Sequence, residues 1–159
     1  MISKIEFSDL PDLAALYKKL VDKQTDIEKM QKSFQRIEMD SNYWVLGARN
    51  QGRLVGSAMG IICHDLVGAC RPFMVIENVI VKGDSRNQGV GKRLMSALEH
   101  QAICRECYYA ILVSSNNQHL AHDFYTANGY DSKTYRGFKK YFPRHQARER
   151  HPDSSLPLK

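Results

Sequence analysis

Apolar residues recur along this chain with two periods, one helical and one extended. Leu13, Leu16 and Leu20 follow helical spacing, with Ser8 or Asp9 available as a cap and Pro11 tolerated in the first turn. Ile27, Met30, Phe34 and Ile37 repeat that spacing and predict a second helix from about Asp26. Ahead of both, ISKIEF reads as a short strand. The stretch YWVLGARNQGRLVGSAMGIIC reads as a hairpin, because two apolar runs flank NQG and Gly52 can take the positive φ of a tight turn. In its second strand Val55, Ser57, Met59 and Ile61 alternate with Leu54, Gly56, Ala58, Gly60 and Ile62. The small residues of the latter set predict close approach by another element on that face.

After the loop HDLVGACRP, FMVIENVIV is expected to form the central strand. Val90, Leu94, Leu98 and Ala102 are spaced at i+4 and predict a helix of about four to five turns. YYAILV is continuous and apolar, as a strand buried in a parallel sheet should be. HLAHDFYTANGY predicts a short helix stopped by Gly129, and YDSKTYRG with FKKYF predicts a closing strand pair. Beyond Pro143 apolar periodicity is lost. The order β-α-α-β-β-β-α-β-α-β-β places residues 1–142 in one α/β domain, a mixed sheet with helices on its faces, followed by a basic, flexible tail over 143–159.

Charge changes this picture little. The net charge is +6, but seven Lys/Arg against two Asp/Glu lie from Arg136 onward, so the basic excess belongs to the C-terminal stretch that begins there. Nucleic acid is therefore not the expected partner; RNA binding through the tail would show as salt-sensitive affinity lost on deleting residues 143–159. Cys104-x-x-Cys107 lacks a second close pair, since Cys63 and Cys70 are too widely spaced. Free, mostly buried thiols are expected, with no metal site and no disulfide. No stretch reaches the length of a membrane span and MISKIEFSDL shows no leader pattern, so the expectation is a cytoplasmic protein without a membrane partner.

The segment carrying chemistry is SRNQGVGKRL, residues 85–94. Strand, glycine turn and helix is an arrangement that binds phosphate, because the free amides of the first helical turn and the helix dipole both favour an anion. Gly89 and Gly91 leave the backbone unobstructed, and Arg86, Lys92 and Arg93 add cations. A dinucleotide fingerprint would need a third glycine where Leu94 stands. A nucleotide P-loop would need Ser or Thr where Arg93 stands, and an earlier glycine that is missing. A pyrophosphate other than that of NAD or ATP fits best.

These residues resemble a known family. VIVKGDSRNQGVGKRLM is similar to the acyl-CoA-binding segment of the GNAT superfamily of N-acetyltransferases, with Arg86-Asn87-Gln88-Gly89-Val90-Gly91 standing as its Arg/Gln-x-x-Gly-x-Gly/Ala turn. LAHDFYTANGY resembles the family's second segment, with Tyr125 and Gly129 in place. Gly83 stands where the family often has proline, a departure that touches loop stiffness. The resemblance spans roughly residues 73–130 and agrees in strand order. It implies a mostly antiparallel central sheet with helices on both faces and one splayed parallel strand pair. Acetyl-CoA would enter that gap as co-substrate, its pantetheine arm along the backbone of Val79, Ile80 and Val81 and its pyrophosphate on Arg86, Asn87, Gln88, Gly89, Val90, Gly91 and Lys92. Asn117 would reach the pantetheine arm, although it lies eight residues before Tyr125 where seven is commoner, which leaves Asn116 or plain exposure as alternatives.

An amine attacking a thioester needs a proton acceptor, an oxyanion donor and a proton for the departing sulfur. Glu77 is the expected base, direct or through water, because it lies two residues before Val79 among Phe73, Val75 and Val79, where burial would strengthen it. Pairing with a core cation, or holding the amine by charge alone, are its other readings. Asn78 is expected on the opposite face. The resemblance makes Tyr125 the acid, against a plain core aromatic beside Phe124, and the Val79 amide the oxyanion donor. His119 and His122 read as surface or capping residues. The acceptor expected is a small-molecule amine such as an amino sugar or aminoglycoside. Lys139, Lys140 and Arg71 would suit an acidic or phosphorylated one, and protein or peptide N-termini stay open. A non-catalytic acyl-CoA-binding module is the rival function, and a homodimer is an open option for assembly.

Overall fold

The computed structural model describes residues 1–142; the tail expected over 143–159 lies outside the described residues. The chain runs through β1 (Ile2–Lys4), α1 (Leu10–Val21), α2 (Ile27–Glu38), β2 (Tyr43–Asn50), β3 (Arg53–Cys63), β4 (Phe73–Val81), α3 (Val90–Cys104), β5 (Ala110–Leu112) and α4 (His119–Ala127). The five strands form one sheet in chain order, antiparallel from β1 to β4, with β4 and β5 parallel. Short turns of 3-10 helix at Phe7–Asp9 and Gly83–Ser85 lead towards α1 and α3.

α1 and α3 bury most of the stripe their spacing predicted, whereas α2 buries Phe34 alone and leaves Ile27 exposed. Leu10, Leu13 and Leu16 of α1 join Phe34 of α2, Val45, Leu54 and Ile80 in a core on one face of the sheet. Val90, Leu94, Met95, Leu98 and Ala102 of α3 pack with Leu46, Ala58, Met74 and Ile76 on the other. Asp26 caps α2 by accepting the Lys29 amide at 3.1 Å. Asp9 instead accepts the Glu6 amide at 2.7 Å and pairs with Arg49, so it ties β1 and β2 to the start of α1 rather than capping the helix.

The β2–β3 turn takes positive φ at both Gln51 and Gly52, 48° and 78°, the twist that suits a two-residue hairpin. The small residues of β3 do admit a neighbour. A β-carbon added at Gly60 would stand 3.0 Å from Leu98 Cδ2, and one at Gly56 would stand 2.9 Å from the Ile80 carbonyl oxygen and 3.3 Å from Leu94 Cδ1. A bulge around Val55, where Ala48 pairs Gly56 but Arg49 pairs Leu54, turns Leu54 onto the α1–α2 face instead of the α3 face its alternation implied.

Three expectations need correction. No closing strand pair forms within residues 130–142; Asp131 Oδ1 accepts the amides of Lys133 and Thr134 at 2.7 and 3.1 Å, a local turn that competes with an extended ladder. β5 is shorter than YYAILV and open on one side, with Ile111 44% and Val113 57% exposed, because α1 and α2 lie over β2, β3 and the Ile80 end of β4 instead. The four cysteines are free, but Cys70 and Cys104 are exposed and Cys63 and Cys107 only half-buried, since they sit at the surface end of α3 and in the β3–β4 connection. Among the described residues no helix is long and apolar enough to cross a membrane.

β4 carries the feature that matters most for the site. Ser57 pairs Ile80 and Met59 pairs Glu77, so one β3 residue stands opposite two of β4, Asn78 and Val79. Asn78 occupies the left-handed region at φ 56°. Two stability predictions follow from this packing, both read from urea unfolding midpoints. Gly56→Val forces a β-carbon against a carbonyl that cannot swing away and should cost about 1–3 kcal/mol. Asn78→Val places a β-branched residue at positive φ and should cost about 1–2 kcal/mol, while Asn78→Gly leaves the midpoint unchanged or higher.

Candidate active site

Pairing between β4 and β5 covers Met74–Ile76 against Ala110–Leu112 and then stops, while β4 continues to Val81. The two strands therefore fork. On the paired stretch the Met74 amide donates to Tyr109 O at 3.0 Å; at the far end the Lys82 amide donates to Val55 O at 2.8 Å, towards β3. Strand alternation back from Lys82 turns the main-chain groups of Ile80 to β3 and those of Val79 and Val81 to the open side of the fork. Ile80 thus offers no main-chain group to the fork, and its side chain is buried in the α1–α2 core. The Val81 carbonyl accepts Arg86 Nε at 3.2 Å.

The bulge also overturns the expected parity of side chains. Residues two apart in a regular strand share a face, but the extra residue cancels that rule here. Glu77, opposite Met59, points to the α1–α2 face with Phe73 and Val75. Val79 and Val81 pack with the α3 core. Glu77 is exposed, not enclosed among Phe73, Val75 and Val79 as the sequence suggested.

Beyond the fork the chain turns into α3. Asn87 and Gly89 take positive φ, 59° and 72°, and Gly89 is the N-cap, with no side chain capping the helix. The first intrahelical bond runs from the Arg93 amide to Gly89 O at 3.0 Å, so the amides of Val90, Gly91 and Lys92 have no helical partner. The first turn holds no acidic residue. Arg86, Asn87, Gln88 and Lys92 are exposed around it, while the Val90 side chain is buried and leaves only its amide available. Gln88 Nε2 donates to Asp84 O and Arg93 Nη1 to Gln88 O, both at 3.0 Å, and these bonds hold the turn's shape. Amides without helical partners beside cations at a helix start are an arrangement that favours an anion.

Gly91 has a second role that its place in the turn did not reveal. A β-carbon there would stand 3.1 Å from Phe124 Cζ, so this glycine lets α4 pack onto α3. That contact sets Tyr125 beside the fork. Its phenol is held above the usual value by burial and, secondly, by the negative charge of Glu77. The two groups therefore sense one another across the sheet from opposite sides. The ring of Tyr130 packs against Tyr125 edge-on at 6.1 Å, and the Tyr130 amide donates to Tyr125 O at 3.0 Å. Tyr130 Oη donates to Glu99 Oε1 at 3.1 Å, and burial together with Glu99 pushes that phenol strongly up. Glu99 escaped the sequence reading because nothing in one helical stripe marks which flanking polar residue meets a distant tyrosine. Gly129, at φ 88°, does end α4 as expected.

Asn117 is exposed in the turn ahead of α4, outside any hydrogen bond that would aim it into the fork. His122 Nε2 lies 2.9 Å from Ser115 O and its ring is 6.0 Å from that of His119, which fits a loop tie rather than a reacting pair. Ser114, just past β5, has a buried hydroxyl without a hydrogen-bond partner at the root of the fork, a group the sequence reading passed over. Among the described residues no three or more His, Cys, Asp or Glu side chains are grouped to hold a metal ion.

The same architecture occurs in solved structures. An acetyltransferase described as putative, from Agrobacterium tumefaciens, superposes with a TM-score of 0.82 at 24% identity, covering 89% of this chain and 99% of its own. Glucosamine-6-phosphate N-acetyltransferase from Arabidopsis thaliana gives 0.78 at 23% identity, covering 90% and 98%. An aminoglycoside N-acetyltransferase in complex with CoA gives 0.72 at 21% identity, covering 90% and 99%. No curated protein sequence matches significantly. The profile of the acetyltransferase (GNAT) family runs over residues 10–130, from the first turn of α1 to just past α4, and takes in both strands of the fork; this chain belongs to that family.

Proposed function

We propose that this protein transfers the acetyl group of acetyl-CoA to the primary amine of a small molecule. The observation that carries the reading is the fork itself: β4 turns the main chain of Val79 and Val81 to an unpaired edge that ends at the uncapped start of α3. The helix-start amides of Val90, Gly91 and Lys92, which have no helical partner, with Arg86 and Lys92 beside them, fit the diphosphate of CoA. Val79 and Val81 would bind its pantetheine arm as a strand binds an added strand, and Ser114 supplies an unclaimed hydroxyl at the root. The co-substrate brings an activated thioester; the chain's residues do the rest.

Glu77 accepts the proton of the incoming ammonium. Its exposure favours transfer through a water and an added role as electrostatic anchor, because a solvated carboxylate holds an ammonium without needing to be a strong base. The neutral amine then forms the C–N bond as the C–S bond breaks, and the second proton that leaves the nitrogen passes through water to restore the Tyr125 phenol once it has protonated the sulfur. The Val79 amide holds the acyl oxygen while it carries negative charge, and Tyr125 gives its phenolic proton to the sulfur. Glu99 and Tyr130 position Tyr125 by fixing the end of α4 against α3.

Tyr125→Phe should lower kcat about 10²–10⁴-fold with the acetyl-CoA Kd unchanged by calorimetry; an unchanged rate removes Tyr125 from the reaction. The pH profile gives the sign. A proton donor works only while protonated, and Tyr125 lies above the ordinary phenol value of 10.0, so its activity is full at neutral pH and is lost only as pH climbs through that raised value. A Tyr125-dependent decline centred below pH 10 would contradict this assignment. Gly89→Glu places a carboxylate and a strained β-carbon at the helix start, and should abolish acetyl-CoA binding while the melting temperature stays close to that of the parent.

A further inference from the structure

Among the described residues, the sheet face that α1 and α2 partly cover keeps an apolar strip with no helix over it, and it begins at Glu77. Phe73, Val75 and Glu77 of β4 share this face with Tyr109, Ile111 and Val113 along β5, Val75 lying opposite Ile111 in the parallel register. Phe73 and Tyr109 stack at 5.1 Å and 14°, so the far end is a flat aromatic pair. Tyr109, Ile111 and Val113 are 44%, 44% and 57% exposed. α1 and α2 pack over Val45, Leu54, Ile80 and Met59, and leave these six residues outside their core. Strand rise sets the span from Glu77 to Phe73 at roughly 13 Å. Among the six, Glu77 is the only charged side chain. Arg71, two residues before Phe73, is engaged: it donates to the carbonyls of Glu106 and Cys107 at 3.1 and 3.3 Å and lies over the Tyr108 ring.

We infer that the acceptor is a monoamine with an extended apolar or aromatic body, its ammonium on Glu77 and its hydrocarbon along Val75, Ile111 and Val113 towards the Phe73–Tyr109 pair. This rests on the acetyltransferase reading and narrows it. Charge complementarity decides the class. One carboxylate heading an apolar strip matches a single ammonium heading a hydrocarbon; a polycationic sugar would leave its other ammonium groups against Val75 and Ile111, and a phosphorylated sugar would set its phosphate on those apolar side chains or beside the Glu77 carboxylate.

The test compares 2-phenylethylamine, glucosamine 6-phosphate and an aminoglycoside as acceptors with the full-length protein, following CoA thiol release. It is paired with calorimetry of 2-phenylethylamine binding to the CoA-loaded protein. The expected result is a kcat/KM for 2-phenylethylamine at least about tenfold above the others, and a KM raised about tenfold or more by Ile111→Asp, with acetyl-CoA affinity and melting temperature retained. Val113→Ser, at a more exposed position, should move the same KM in the same direction by less, so the proposal does not hang on one variant. A preference for the sugar substrates, unmoved by either substitution, overturns this inference and leaves the acetyltransferase standing. Binding of 2-phenylethylamine that depends on Ile111, without acetylation of any amine, supports the inference and overturns the transferase. A dimer dispersed by Ile111→Asp, with no affinity for 2-phenylethylamine, assigns the strip to a second copy of the chain and overturns the inference.

Discussion

Everything at the fork depends on β4 staying fully bonded to β3 while giving up its other neighbour halfway along. A buried strand with one edge unpaired would ordinarily be unfavourable, since unmet main-chain groups cost free energy when water is kept out. Here the edge is tolerable because the fork opens to solvent and because the bulge at Asn78 redirects the strand just past the last β5 pair, Ile76 with Leu112. The bulge does two things with one inserted residue. It turns the main chain of Val79 and Val81 to the open side, and it rotates the side chains before it onto the opposite face from those after it. The parity of β4 is thus a local backbone decision made at a single left-handed residue.

The helix that follows is built around the same economy of small residues. Gly89 serves backbone geometry, since it holds positive φ at the N-cap and contributes no capping side chain. Gly91 serves packing, since Phe124 lies where its β-carbon would be. Two neighbouring glycines in one turn therefore answer to different constraints: one leaves the helix amides open, and the other brings α4, and with it Tyr125, to the fork. Val90 lies between them and is buried in the core, which anchors the first turn to the sheet. Rigidity beneath and openness above are what an anion site at a helix start needs.

How much of this could be read from the chain depends on whether a constraint leaves a period. The hairpin, α1, α2 and α3 were legible because Leu13 and Leu16, Phe34, and Leu94 with Leu98 recur at spacings that only burial of one face explains. The tiny residues of β3 announced α3 in the same way. The bulges were not legible. FMVIENVIV carries apolar residues on both faces, so shifting its parity changes no visible alternation, and Glu77 was placed beside Val79 on a regular strand that does not exist. β5 was overextended for the related reason that a continuous apolar run looks buried on both sides, whereas Ile111 and Val113 face no helix. The segment 130–142 offered aromatic residues but also Asp131, whose local hydrogen bonds favour a turn. The pairing of Glu99 with Tyr130 joins residues 31 apart, and no local pattern encodes it.

The separation of Glu77 from Tyr125 by the sheet bears on how the proposed reaction is organised. Were the strand regular, both groups would crowd one face beside the thioester, and the acid could protonate the base directly. With the bulge, in the proposed reaction the carboxylate would meet the acceptor from the α1–α2 face and the phenol would meet the sulfur from the α3–α4 face. Proton removal and proton delivery would then occur at opposite ends of the bond change, while burial first and the charge of Glu77 second raise the Tyr125 phenol. On the proposed reading, the strip of Phe73, Val75, Tyr109, Ile111 and Val113 would be the ground over which the acceptor approaches. The parity shift at Asn78 would thereby set the site for the amine as well as the site for the thioester.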